Sequence, residues 1–414
     1  MTTKRLKVLL GCYACDPNYG SEPGMGWNFV SNIAKYHDVH AIVEEGEFKE
    51  TLTRFAEENP DKVKNITFHF VSRTHHNTLR KIWPPSYYWF YRTWHRRAYK
   101  LAVELNKKEN FDIVHQVTLA GFREPGFLWK LKKPFIWGPL GGFTQTSWRL
   151  LSGMGLHTMF FFSARNILNY LQKRFSFSVR EAAKHSYSIL VSDKQGIEDA
   201  QNIWHRNAIL MREVGIYKSG CPSPIAHRQN GSILRVCWAG ELIPLKGLDI
   251  LIHAIKQCKY RIHVEVLGRG PMLNKWQSAV RNLKLCDNFT FHGFVPHQRV
   301  ADIMIQCHAA CITSIKEGGT STFVLEALQA GLPIIALNHC GYATVIDESS
   351  GIKIPIQSKQ KIISTLAAEL DYLAEHEEIR QRLAIGAQKQ AKNFTWEAKM
   401  QMLNKLYWEA ANKK

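Results

Sequence analysis

Phe291 to Ile346 reads FHGFVPHQRVADIMIQCHAACITSIKEGGTSTFVLEALQAGLPIIALNHCGYATVI. Three apolar, β-rich runs punctuate this region, Phe289–Phe294, Ala309–Thr313 and Pro333–Leu337, with helical stretches between them. The middle run leads into the loop Glu317-Gly318-Gly319-Thr320-Ser321-Thr322, and a helix follows with Glu326 in its early part. N–H groups at such a helix start can bind an anion, and two glycines let a ligand approach the backbone. A carboxylate nearby can accept both hydrogen bonds of a vicinal diol. The residues alone fit a phosphate or sugar site and a plain tight turn equally well.

Working outward, Leu234–Ala239 and Ile262–Leu267 read as further strands and Leu248–Gln257 as a helix, completing one βα domain. The same alternation occupies the first half. Lys7–Gly11, Val39–Val43, Ile66–Val71, Asp112–His115, Phe135–Trp137 and Ser188–Val191 read as strands. A Gly-rich turn, Asn18–Gly26, and a helix over Trp27–Lys35 follow the first. Ile216–Ser232, with Gly220, Pro222, Pro224 and Gly231, is the linker candidate. The expected class is α/β, with a Rossmann-like domain over 1–215, a linker over 216–232 and a second Rossmann-like domain over 233–393. A C-terminal helix over 394–414 is free to return to the first domain. Two such domains would leave a cleft at the carboxyl ends of their sheets.

A chain of 414 residues exceeds one ordinary core. With 45% apolar and 21% charged residues it is globular in composition. No continuous apolar run reaches about 18 residues, so no spanning helix is expected. The N-terminal Val8–Cys15 run reads as a buried strand rather than a signal peptide. Nine scattered cysteines suit reduced thiols in a cytosolic protein. Cys12 and Cys15 have metal or redox spacing, but no second such pair follows, so they read as small buried residues.

The net charge of +19 is unevenly spread. No acid lies between Pro125 and Arg180, nor between Arg73 and Val103. Such a surface attracts anionic lipid, nucleic acid or phosphorylated small molecules. Ile82–Tyr99 interleaves aromatic and basic residues, and Leu150–Leu171 is a mostly uncharged, aromatic-rich run. Both suit an anionic membrane interface. Core packing beneath a solvated basic face is the plainer alternative. No nucleic-acid module accompanies them, so no nucleic-acid partner is expected.

Across nearly its whole length the chain resembles family 4 glycosyltransferases of the bacterial cell-surface polysaccharide type, which have the two-domain GT-B fold. ACDPNYGSEPGMGW looks like the loop after their first strand, and DIVHQV like their D-x-x-H strand end. WAGELIPLKGLDILI is similar to their G-R-L-x-x-x-K-G segment, VLGRGP to V-G-x-G-P, and FHGFV to F-x-G-x-V. The resemblance implies a retaining, metal-independent transfer of a hexose from a UDP- or GDP-linked donor to a saccharide or lipid-linked acceptor. The pathway would be surface polysaccharide or lipopolysaccharide assembly. The nucleotide-sugar would be a substrate, with no cofactor. The enzyme would be cytoplasmic and peripheral on the inner face of the plasma membrane.

The resemblance also implies roles. His115, Lys246 and Glu317 would be catalytic. His115 would sit near the reacting carbon, Lys246 would neutralise the diphosphate, and Glu317 or the Gly318–Gly319 backbone would face the donor sugar. Gly20, Ser21, Lys246, Arg269, Gly318, Gly319, Thr320, Ser321, Thr322 and Glu326 would bind the donor, Glu326 through the ribose hydroxyls. Three departures stand out. Glu241 occupies the position of the family's arginine, so the phosphate clamp would lose one arm unless Arg269 or another cation replaces it. Glu317 and Glu326 are one residue further apart than the family's paired glutamates, and Gly318 holds the position that keeps the spacing. The turn Cys340–Thr344 lacks the family's acid. A GT-B scaffold that binds without turnover and a nucleotide-sugar epimerase are the competing readings.

Overall fold

Parallel strands with helices between them build both halves of the chain, as the strand–helix alternation requires. The computed structural model describes residues 4–73, 86–151, 156–217, 225–317 and 319–413. They form two compact units: Met1–Thr144, Leu168–Glu213 and Lys399–Lys414, and then Gln145–Ile167 with Val214–Ala398.

The first unit holds a seven-stranded sheet in the order β3-β2-β1-β4-β5-β6-β7. Its strands are β1 (Lys7–Gly11), β2 (Asp38–Glu44), β3 (Ile66–Val71), β4 (Ile113–Gln116), β5 (Phe135–Leu140), β6 (Ser186–Val191) and β7 (Ala208–Leu210). The second holds a six-stranded sheet, β10-β9-β8-β11-β12-β13. Its strands are β8 (Leu234–Ala239), β9 (Ile262–Leu267), β10 (Phe289–Gly293), β11 (Ala309–Ile312), β12 (Ile334–Leu337) and β13 (Gly351–Ile354). Every strand pair is parallel. Strand order reverses between β1 and β4 in one sheet and between β8 and β11 in the other.

The second sheet is covered on both faces, and its residues alternate accordingly. Val236, Trp238, Cys311, Ile335 and Leu337 enter one apolar core with the helices Leu248–Ile255 and Lys359–Glu375. Cys237, Ala310, Ile312, Ile334 and Ala336 enter the other, with the helix Thr322–Gln329. Strands buried on both faces are apolar throughout, which is why these runs were legible without a polar alternation.

The expected boundaries differ from the two units at residues 145–167 and at the expected linker, which falls in the second unit, and packing explains both. Gln145–Ile167 groups with the second unit. Leu150 is buried in that unit's core, and Asn166 bonds to both main-chain groups of Thr146. Lys399–Lys414, most of the C-terminal helix Trp396–Asn412, groups with the first. In the expected linker, Ile216 pairs with Thr395 and is buried, and Arg228 binds the carbonyls of Leu373 and Ala374 and the Glu377 carboxylate. Gly220, Pro222 and Pro224 lie outside the described residues.

The expected turn Asn18–Gly26 is also corrected. Helix begins at Ser21 and runs to Ile33, so Gly24 and Gly26 are helical. Side chains there would strike the Tyr19 and Ala14 carbonyl oxygens, so the glycines let this helix pack against the segment after β1.

Candidate functional site

The carboxyl ends of β8 and β11 meet at the reversal point of the second sheet, where doubly wound sheets take their ligands. Lys246 closes the short 3-10 turn Pro244–Lys246 after β8. Gly247 then reverses the chain at φ 62° into the helix Leu248–Ile255. A Cβ there would be strained and would also meet the Thr313 carbonyl oxygen at 2.5 Å. The Trp238 indole N–H donates to Thr313 Oγ1 at 3.0 Å, and the Thr313 hydroxyl donates to the Lys246 carbonyl at 2.9 Å. The buried relay fixes the backbone of Lys246 to both strands. The lysine stem lies along Gly240, and its Nζ forms an ion pair with Glu317.

Glu317 is held from three sides. Its N–H donates to Cys340 Sγ at 3.4 Å, its carboxylate meets Lys246, and the buried Tyr342 ring lies beside it. Burial, reinforced by the Glu317 charge, keeps the Tyr342 phenol protonated far above its ordinary range. Cys340 and Tyr342 come from the turn whose missing acid the sequence had flagged. Their own contribution was not anticipated, because nothing local in CGYAT announces a contact with Glu317.

Past Glu317 the chain reaches Gly319, Thr320 and Ser321, the cap of the helix Thr322–Gln329. Ser321 makes no side-chain capping bond, so the helix start lacks the usual competitor for its leading N–H groups. Thr320 is buried, and its Oγ1 has no hydrogen-bond partner among the described residues. Gly341 packs against Thr320 and Gly319. Thr322 is exposed and Glu326 is half-buried one helical turn further on, on the same face. Gly318 lies outside the described residues.

Arg269 sits in the loop after β9, its guanidinium 5.1 Å from the centre of the Phe294 ring. Its carbonyl accepts the Leu242 N–H at 2.9 Å, tying the β9 loop to the β8 loop. Glu241, in that β8 loop, is exposed. The second unit therefore brings Lys246 and Glu317 into contact. It also places Arg269, Thr320, Ser321, Thr322 and Glu326 on loops and a helix that follow β8, β9 and β11.

His115 is corrected. It lies within β4, fully buried, and both ring nitrogens are engaged. The Gly138 carbonyl can only accept, so Nε2 carries the proton and donates at 2.6 Å. Nδ1 then accepts from the Tyr407 hydroxyl, also at 2.6 Å. Burial lowers the imidazole to about 4 and raises the phenol, consistent with a neutral pair. His115 thereby ties the C-terminal helix to the sheet, and both ring nitrogens are taken by protein partners. Gly20 and Ser21 lie at the exposed start of the helix Ser21–Ile33. Cys12 and Cys15 are buried, with the Cys15 thiol raised by burial and by its neighbour Cys12.

Residues 226–390 match the family model of glycosyl transferases group 1. The matched segment lies within the second unit and includes the Lys246–Glu317 pair. A glycosyltransferase of Methanocaldococcus jannaschii whose role is uncharacterised is 27% identical over 180 residues, 42% of this chain and 48% of that protein. A GDP-mannose-dependent phosphatidylinositol monomannoside mannosyltransferase of Mycobacterium tuberculosis is 26% identical over 137 residues, 31% of this chain and 36% of that protein. The matches thus span about half or less of these curated relatives. Among solved structures, Anabaena HepE with UDP and glucose superposes with TM-score 0.63 at 14% identity, covering 98% of this chain and 100% of that one. The lipopolysaccharide outer core galactosyltransferase WaaB also gives 0.63, at 13% identity, covering 97% and 100%. The fold shared with these glycosyltransferases is GT-B.

Proposed function

We propose that the chain is a retaining glycosyltransferase that moves a hexose from a UDP- or GDP-linked donor to a saccharide or lipid-linked acceptor in surface polysaccharide or lipopolysaccharide assembly. The observation that carries this reading is the Lys246–Glu317 pair beside a helix start with no side-chain cap and an orphaned Thr320 hydroxyl. As the glycosidic bond breaks, negative charge grows on the leaving nucleoside diphosphate. A fixed cation and oriented N–H groups lower that barrier. Lys246 and the Gly319–Thr322 segment supply them, with Arg269 as a second cation where Glu241 replaces the family's arginine. Gly318 belongs to the same proposed loop. Glu326 takes the ribose diol and Glu317 the sugar hydroxyls. Gly20 and Ser21 remain donor-loop candidates from the first unit.

A UDP-bound structure and a GDP-mannose-dependent relative among the matches support both nucleotides as trial donors. The test is nucleoside diphosphate release from a panel of nucleotide-sugars with membrane extract as acceptor source. Product NMR reads the anomeric configuration, and EDTA is expected to leave the rate unchanged. A binding scaffold without turnover is the second reading, favoured by Glu241 and by the enclosure of His115. It predicts donor binding with no release.

A further inference from the structure

One helix of the molecule is inside out. Leu156–Phe175 buries Asn166, Asn169 and Lys173, while Leu156, Phe160, Ile167, Leu168, Leu171 and Phe175 are exposed. Leu156 is 81%, Phe160 77% and Phe175 67% exposed. Each buried polar side chain has a protein partner. Asn166 accepts the Thr146 N–H at 3.1 Å and donates to the Thr146 carbonyl at 2.9 Å. Asn169 accepts from Arg123 Nε at 3.0 Å, and Lys173 pairs with Asp199. Protein packing thus explains the polar face and leaves the apolar one unexplained.

At 3.6 residues per turn these six side chains share a single arc of roughly 120°, with Arg174 at one edge and Arg165 about 60° beyond the other. Arginines at the borders of an apolar stripe can snorkel to head-group phosphates while the stripe enters the acyl boundary. The complementarity extends further, since no acid lies from Pro125 to Arg180. The helix is also too polar to cross a bilayer: among the described residues none is long and apolar enough. On its inner side Phe162 lies under the Lys316 ammonium, 5.0 Å from the ring centre, one residue before Glu317.

We infer that Leu156–Phe175 is an in-plane anchor that docks the molecule on an anionic lipid bilayer, its apolar arc inserted and Arg165 and Arg174 at the phosphates. The inference stands apart from the donor-site reading, because its test needs no sugar transfer. Flotation of the full chain with vesicles of phosphatidylglycerol and phosphatidylcholine, against phosphatidylcholine alone, reads it directly. The anionic vesicles are expected to carry about tenfold more protein. The double variant Phe160→Asp, Ile167→Asp loses that fraction, and Arg165→Glu lowers it without touching the apolar arc. Thermal melting of each variant checks the fold, and the arginine variant serves if the aspartates destabilise it. Equal, negligible flotation with both vesicles overturns the inference. So does binding that all three substitutions leave intact. Sedimentation showing a dimer that the aspartates dissolve, with no lipid binding, would assign the arc to a second copy of the chain instead.

Discussion

Lys246 and Glu317 neutralise one another in this structure, and that contact makes sharp predictions. Lys246→Ala should lower kcat/KM by roughly 10²-fold, about 2.7 kcal/mol, with little loss of melting temperature. Steady-state kinetics beside a thermal melt separates the two effects. Glu317→Gln should tighten nucleoside diphosphate binding, since the lysine then loses its competing partner, yet slow transfer. Calorimetry and turnover must move in opposite directions for this to hold. Glu326→Ala should weaken nucleotide binding about tenfold, through the loss of a charge-assisted hydrogen bond. Lys246, Glu317 and Thr320 could be named as candidates from the sequence because their segments are short and their chemistry is local. The enclosure of His115 was not legible, for the opposite reason. Its strand-end pattern is local, but the Tyr407 hydroxyl that seals it comes from 292 residues away.

The inside-out helix shows what periodicity can and cannot settle. A run such as Leu150–Leu171 reads as amphipathic from spacing, but spacing does not say which face the protein covers. Here the buried face is chosen by hydrogen bonds to Thr146, Arg123 and Asp199, which no pattern within the run displays. Asn166→Ala should therefore cost about 2 kcal/mol by stranding the buried main chain of Thr146, whereas Phe160→Ala should leave stability unchanged. Chemical denaturation of the two variants compares them directly. β1, β3, β8 and β9 were legible to the residue as short runs rich in β-branched and aromatic side chains, although β3 is an edge strand with Val71 alone buried in it. β7 and β13 were missed, being 3 and 4 residues long and only partly buried. The helix at Ser21 was read as a turn because its glycines serve packing rather than flexibility.

Across the whole molecule, buried histidines set the acid limit. Burial lowers His115, His37 and His308 to about 4 and His95 to about 3. Each stays neutral when folded, whereas the unfolded chain binds a proton below its ordinary value near 6.5. Stability should therefore fall as the pH drops from about 6.5 toward 4. Glu124, raised to about 7 by burial, has the opposite sign and loses its contribution as pH rises above its ordinary value. His40, His69 and His339 are lowered by burial too, and Asp193 and Glu369 are raised by it, so seven histidines oppose three carboxyls and the melting temperature should climb between pH 4 and 6.5. Two sheets that each reverse strand order at their first-laid strand explain why the candidate site segments follow β8, β9 and β11. The claim that this reversal point holds a nucleoside diphosphate is tested most directly by calorimetric titration of the full chain with UDP and with GDP. The account predicts saturable binding of at least one, weakened about tenfold or more in Lys246→Ala at unchanged melting temperature. Binding of neither nucleotide, or equal affinity in the lysine variant, would contradict it.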